Sequence, residues 1–346
     1  MTDTTAASSS STRRPRVVTI GETMGLLSTA QPGPLAHAST MQLGIGGSES
    51  NVAIGLSRLG VDVTWFGRVG DDSVGRLVAR EIRAEGVDAR VTMDDGAATG
   101  LMIKERRTST SQNVTYYRAG SAGSRLSADD LDESAIASAD VLHVTGITPA
   151  LSDSAAQAVR RAADVAREAG VLVSFDVNYR RALWSTGDAA TFCREFAAGC
   201  DVLFAGEDEA AMLLGPAASA SFATDAAAAG SPSDAAAAAA ALACGLAELG
   251  PRQAVVKCGA AGAVAMIDGQ LVTQEAVSIV AHDTVGAGDA FVAGYLAELA
   301  AGNDAPTRLQ TAVTVGAFVC LAAGDWEGLP RRSELGLLHA REAVTR

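Results

Sequence analysis

Aromatic side chains make up only 4% of this 346-residue chain, histidines number four, and Lys+Arg total 27 against 40 Asp+Glu. Each scarcity excludes something. A net charge of −13 argues against a nucleic-acid or anionic-membrane surface. None of the histidines pairs with a cysteine or an acid at metal-ligand spacing, so a protein-caged transition metal is not expected. Cys193, Cys200, Cys244, Cys258 and Cys320 include no Cys-x-x-Cys. Odd in number and dispersed, they suit reduced thiols in a cytoplasm better than a disulfide framework. No run is long and apolar enough to cross a bilayer. Residues 1–16 are polar and Ser/Thr-rich, end in Arg13-Arg14-Pro15-Arg16, and lack an apolar h-region. They read as a disordered tail, not a signal peptide.

What is present is a repeating alternation. Short β-branched runs at Val17–Ile20, Val61–Phe66, Val141–Val144, Val171–Asp176, Val202–Phe204, Ala254–Val256 and Ala263–Ile267 read as buried strands. Helical spacing lies between them at Val52–Leu59, Val74–Glu85 and Ser154–Ala169, the last preceded by Ser152 or Asp153 as a cap and stopped by Gly170. This rhythm predicts an α/β fold over 17–340: a mostly parallel central sheet with helices on both faces. Residues 24–44 and 98–118 break the rhythm and read as strands of a small sheet projecting as a lid. Residues 216–241 are low in complexity. Their first part, 216–234, reads as a loop insertion, and the alanine-rich remainder as the start of a helix ending near Leu249.

The most informative stretch is Asp283-Thr-Val-Gly-Ala-Gly-Asp289-Ala-Phe-Val-Ala-Gly-Tyr-Leu296. A glycine-rich turn presents a carboxylate and enters an apolar helix. Gly286 and Gly288 permit close approach of a bulky ligand, and the free N–H groups of the helix start favour an anion. A carboxylate inside an anion-binding turn suits phosphoryl transfer, which needs a base for a hydroxyl proton beside donors for the moving group. A second glycine pair, Gly46-Gly47-Ser48-Glu49-Ser50-Asn51, precedes another helical pattern, and Asn51 offers a donor and an acceptor for sugar hydroxyls.

The 283–296 string resembles the C-terminal signature of the ribokinase-like (phosphofructokinase-B) sugar kinases. The 46–51 element resembles the N-terminal Gly-Gly-x-x-x-Asn of the same family. The resemblance implies a ribokinase-like fold, Asp289 as catalytic base, and the amides of Gly286, Ala287 and Gly288 as the anion hole. It implies Gly47 and Asn51 as sugar contacts, and a monovalent cation such as K+ near Asp283. Glu22, at the end of the first strand, matches an acidic position that contacts sugar in some relatives. Val255-Val-Lys-Cys-Gly-Ala-Ala-Gly262 resembles the strand and turn that receive ATP, with Lys257, Gly259 and Gly262 as candidates. Glu209 matches a glutamate that influences Mg2+ through water. Gly206, however, stands where relatives often carry asparagine.

Two segments narrow the substrate. Strand alternation puts Tyr116 and Arg118 on one face and Tyr117 on the other, while Arg180 follows a strand that ends in polar residues. Two guanidiniums converging on one pocket would suit a sugar acid. Tyr116–Ser124 and Asp176–Trp184 resemble the 2-keto-3-deoxygluconate kinase branch, which implies that Tyr116, Arg118 and Arg180 contact substrate. Met102 departs from that branch, where several members carry an aromatic residue. The expectation is an ATP- and Mg2+-dependent cytoplasmic kinase for that sugar acid, with homo-oligomerisation through the lid open. A fructokinase or ribokinase acting on a neutral sugar is an alternative, as is a non-catalytic sensor of sugar or nucleotide on the same fold.

Overall fold

The computed structural model describes residues 13–108, 111–215 and 232–339. The expected tail at 1–16 lies outside them as far as residue 12, and most of the expected 216–234 loop also lies outside them. Arg16 already belongs to the first strand, in register with Asp62 of the neighbouring strand.

The strands are β1 (Arg16–Ile20), β2 (Met24–Thr29), β3 (Met41–Gly46), β4 (Asp62–Gly70), β5 (Asp88–Asp94), β6 (Leu101–Arg106), β7 (Gln112–Tyr117), β8 (Val141–Thr145), β9 (Leu172–Asp176), β10 (Val202–Gly206), β11 (Gln253–Lys257), β12 (Ala263–Ile267) and β13 (Gln270–Gln274). The helices are α1 (Ser48–Arg58), α2 (Ser73–Ala84), α3 (Glu133–Ala137), α4 (Asp153–Glu168), α5 (Thr186–Ala197), α6 (Glu207–Leu214), α7 (Pro232–Ala247), α8 (Ala287–Ala300) and α9 (Ala305–Val319). Nine strands form the main sheet in the order β13-β12-β11-β10-β9-β8-β1-β4-β5. It is parallel except at the β11–β12 and β12–β13 pairs. Two apolar clusters cover it, one drawing on α1, α8 and α9, the other on α4, α5, α6 and α7. The expected central sheet with helices on both faces is present. Strands β5 and β13 were not expected, because both are edge strands whose polar, half-exposed sequences carry no buried-strand pattern.

Helix boundaries follow local chemistry. The Ser152 side chain accepts from the Ala155 amide at the start of α4, and Gly170 follows its end with φ +73°. Helix α8 is buried along almost its whole length. It crosses α1 closely, since a Cβ on Gly55 would lie 2.7 Å from the Ala293 Cβ. That approach sets the start of α1 beside the start of α8.

The four remaining strands form a separate small sheet in the order β3-β2-β6-β7. Its inner face buries Met24, Leu26 and Met102 against Val114, and also carries Lys104 and Tyr116. Leu43 and Tyr117 are exposed on the outer face.

Candidate active site

The turn before α8 is built by position. Gly286 caps the helix in the left-handed region at φ +77°, and a Cβ there would fall 1.9 Å from the Asp325 carbonyl oxygen. Only glycine fits. Ala287 and Gly288 are the first two helical residues and Asp289 the third, so their amides have no acceptor within the helix and face the turn.

Asp289 is mostly buried but lines a cavity of about 630 Å3 with Tyr116, Arg180, Glu209 and Lys257. Its Oδ1 accepts from the Ser48 hydroxyl at 2.6 Å, and its Oδ2 from Asn51 Nδ2 at 2.8 Å. Both donors lie on α1, three residues apart and hence on one helix face. Asn178 Nδ2 donates to Ser48 Oγ at 2.6 Å and reaches Asp289 Oδ1 at 3.4 Å. Its backbone takes the unusual φ of +40° just past the C-terminal end of β9. The Asn51 Oδ1 is buried without a hydrogen-bond partner. Gly47 is the N-cap of α1, where a Cβ would meet the Glu22 carbonyl oxygen at 2.4 Å.

Lys257, at the end of β11, donates to both oxygens of Asp176 at 2.8 and 2.7 Å. Burial alone would lower its pKa. Asp176, Glu209 and Asp289 together outweigh burial and raise it, so the ammonium persists. Burial pushes Asp176 above the ordinary carboxylate range against the pull of Lys257. Glu209 is held by backbone: its Oε2 accepts from the Gly206 amide at 2.7 Å and its Oε1 from the Tyr179 amide at 2.8 Å. Gly206 therefore caps α6 and orients Glu209 through its N–H.

A second cavity, of about 600 Å3, opens on the other side of the turn and is lined by Gly259, Gly262, Val277, Ile279, Phe291 and Ala317 among others. Lys257, Thr284 and Gly288 border both cavities. A Cβ on Gly288 would lie 3.6 Å from Lys257 Nζ. An apolar slot thus leads to the amides of a helix start beside an ammonium, with only a long 3.3 Å bond from the Ala287 amide to the Thr284 carbonyl among them, which fits the base and phosphates of a nucleotide.

The expected arginines part company. Arg180 is exposed and lines the first cavity with Tyr116. Arg118 lies over the Tyr116 ring, 5.9 Å from its centroid, but its guanidinium pairs with buried Glu22 and does not line that cavity. Its Nε is buried without a hydrogen-bond partner. Met102 sits opposite Tyr116 in the core of the small sheet and also stays out of the cavity. Asp283, the expected cation ligand, accepts instead from the ammonium of Lys104 at 2.8 Å.

Sequence reasoning missed Ser48, Asn178, Asp176 and Lys104. The first three carried a usable signal, since Ser48 shares a helix face with Asn51, and Asp176 and Asn178 end a parallel strand. Lys104 carried none, because Asp283 lies 179 residues further along the chain.

A family profile described as pfkB family carbohydrate kinase matches residues 14–332. The chain belongs to that family. It is therefore a carbohydrate kinase by descent, a phosphotransferase acting on a sugar hydroxyl. Among curated relatives, the 2-dehydro-3-deoxygluconokinase of Thermoproteus tenax is 36% identical over 324 residues, 92% of either chain. The 2-dehydro-3-deoxygluconokinase of Bacillus subtilis (strain 168) is 34% identical over 333 residues, 94% of this chain and 96% of that one. Among solved structures, a PfkB protein from Polaromonas sp. JS666 superposes with a TM-score of 0.78 at 34% identity, covering 93% of this chain and 99% of that one. The PfkB assignment accounts for the large sheet and the small sheet beside it.

Proposed function

We propose that this PfkB kinase transfers the γ-phosphoryl group of ATP to the terminal hydroxyl of 2-keto-3-deoxygluconate, giving 2-keto-3-deoxy-6-phosphogluconate. One observation carries the reading: an apolar nucleotide-sized cavity and a polar cavity holding Asp289 meet at the Thr284–Gly288 turn. In this reading Asp289 takes the hydroxyl proton, and the amides of Gly286, Ala287 and Gly288 receive charge on the moving group. Ser48 and Asn51 hold the carboxylate in place. Asn51 and Gly47 lie behind the carboxylate and outside the cavity wall, where the buried, unpartnered Asn51 Oδ1 is a spare acceptor for a sugar hydroxyl that reaches past Asp289. Lys257, Gly259 and Gly262 serve the nucleotide. Arg180 and Tyr116 meet the acid and keto end of the sugar, while Arg118, paired with Glu22 outside that cavity, braces the Tyr116 ring.

The first cavity is lined by five carboxylates, Asp176, Glu207, Asp208, Glu209 and Asp289, against two cations, Arg180 and Lys257. Such a wall accepts polyphosphate only with added positive charge, which supports Mg2+. Among the described residues no cluster of three or more acids, histidines or cysteines could cage a metal. Mg2+ would enter with the phosphates, with Glu209 beyond its water shell, and would neutralise charge on the β- and γ-phosphoryl oxygens. Because the Lys104 ammonium already occupies Asp283, K+ has no part in this reading. A cytoplasmic setting accords with ATP as donor, and the exposed Leu43 and Tyr117 on the small sheet would suit pairing of two copies through it.

The test is ADP release with a panel of 2-keto-3-deoxygluconate, 2-keto-3-deoxygalactonate, fructose and ribose. Preference for one of the sugar acids is expected. Faster turnover of a neutral sugar would remove the carboxylate argument. Binding of ATP and sugar acid with no phosphorylated product would leave a sensor on a kinase fold.

A further inference from the structure

Lys104 is a buried charge for which the proposed reaction has no direct use. It lies on the inner face of β6 with only 6% of its side chain exposed. Its ammonium donates to Asp283 Oδ2 at 2.8 Å and to Asp325 Oδ1 at 3.0 Å. Both acids are wired to the anion turn. Asp283 Oδ1 accepts from the Val285 amide at 3.0 Å, and the Asp325 carbonyl oxygen fills the space where Gly286 lacks a Cβ. Two buried carboxylates facing one point need a cation between them. The next inward side chain of β6, Arg106, lies on the ring and carbonyl of His282, adding a second positive group over the same loop.

We propose that the Lys104 ammonium stands in for a monovalent cation beneath the anion turn, so that this kinase holds the turn without potassium. Lys104 is then a positioning residue. A tethered ammonium has the charge of an alkali ion but no dissociation equilibrium, so it occupies its site at any salt concentration. A free cation entering between Asp283 and Asp325 would have to displace a lysine that has no other partner there. Burial alone would lower the Lys104 pKa, but Asp325 and Asp283 outweigh it and hold the group above its ordinary value. The inference rests on reading the 286–288 amides as the phosphate site.

The experiment compares the full chain with Lys104→Met in potassium, ammonium and choline chloride at one ionic strength. Thermal midpoints without substrate are read beside kcat and KM for the sugar acid. For the wild type, midpoints in the three salts agree within about 1 °C and rates within about twofold, the spread of an ordinary surface change. Lys104→Met in choline loses about 5 °C or more, because two buried carboxylates lose their partner. Potassium or ammonium restores its midpoint and its kcat while KM for the sugar acid stays put. Wild-type activation of tenfold or more by potassium overturns the proposal, and so does a Lys104→Met variant that matches wild type in choline. If Lys104→Met does not fold, the wild-type salt series still decides the first claim. The Lys104→Met/Asp325→Asn pair, leaving one buried acid, then decides the second: a midpoint insensitive to potassium sinks it. The midpoints are read without substrate, so they stand even if no sugar acid is phosphorylated in any salt.

Discussion

Asp289→Asn removes the proposed base while conserving volume, and the structure allows its cost to be divided between fold and reaction. In the native site both carboxylate oxygens are acceptors, one from Ser48 and one from Asn51. The introduced amide can keep the Asn51 bond through its oxygen. Its NH2 then faces the Ser48 hydroxyl, which already accepts from Asn178 at 2.6 Å and has one further lone pair. Ser48 can turn its hydrogen away and accept both donors. The fold thus loses about one charge-assisted bond, worth roughly 1.5–3 kcal/mol, partly recovered by the reversed one. Turnover has no such recovery, because an amide cannot take the hydroxyl proton. A fall of about 10²–10⁴ in kcat is expected. A hundredfold fall corresponds to about 2.7 kcal/mol of barrier. The turn amides are untouched, so ATP affinity by calorimetry should stay within about threefold and KM for the sugar should change little. The assay is ADP release with a thermal melt of the same preparation. A folded variant turning over within about tenfold of wild type would refute the base assignment.

The two arginines should separate cleanly. Arg118→Ala leaves the Glu22 carboxylate, 1% exposed, without its counter-charge and with the Ser121 hydroxyl as its remaining donor, and should destabilise by about 3 kcal/mol in a denaturant titration. Arg180→Ala, at an exposed position, should leave stability within about 0.5 kcal/mol. It should raise KM for the sugar acid about tenfold or more, the worth of a charged hydrogen bond, and spare neutral sugars; equal effects on both would count against the acid reading. Glu49 gives a pH dependence. Burial, against the Thr148 and Thr145 hydroxyls at Oε1, raises its pKa from 4.5 to about 6, and its Oε2 has no partner. The folded state binds the proton more tightly, so Glu49 contributes fully below pH 4.5, and that contribution is lost as pH rises through about 6. Glu49→Gln should therefore gain on wild type across that window by up to about 2 kcal/mol, measured by urea unfolding at several pH values. A constant difference between pH 4 and pH 8 would contradict the raised pKa.

Much of the site could be read because its parts lie on short strings with local physical meaning. Gly286, Gly288 and Asp289 are neighbours whose spacing alone requires a turn, free amides and a carboxylate at a helix start. Gly47 and Asn51 announce themselves the same way. Arg118 could not be read so, since alternation fixes the face it leaves from but not what it meets. Its partner Glu22 is the acid at the end of β1, given only as a sugar contact, and the two join only when β7 folds back over that strand end. The strands of the main sheet were legible where both faces are buried, and β5 and β13 were not, because an edge strand needs less apolar sequence.

The sequence by itself determined the α/β alternation, the two glycine elements and hence the phosphate chemistry, because each depends on residues within a turn or two of one another. Only the tertiary structure decided which charges meet: Lys257 with Asp176, Arg118 with Glu22, Lys104 with Asp283 and Asp325. Electrostatic pairing falls off over a few ångströms in space and is blind to distance along the chain, so no local pattern encodes it.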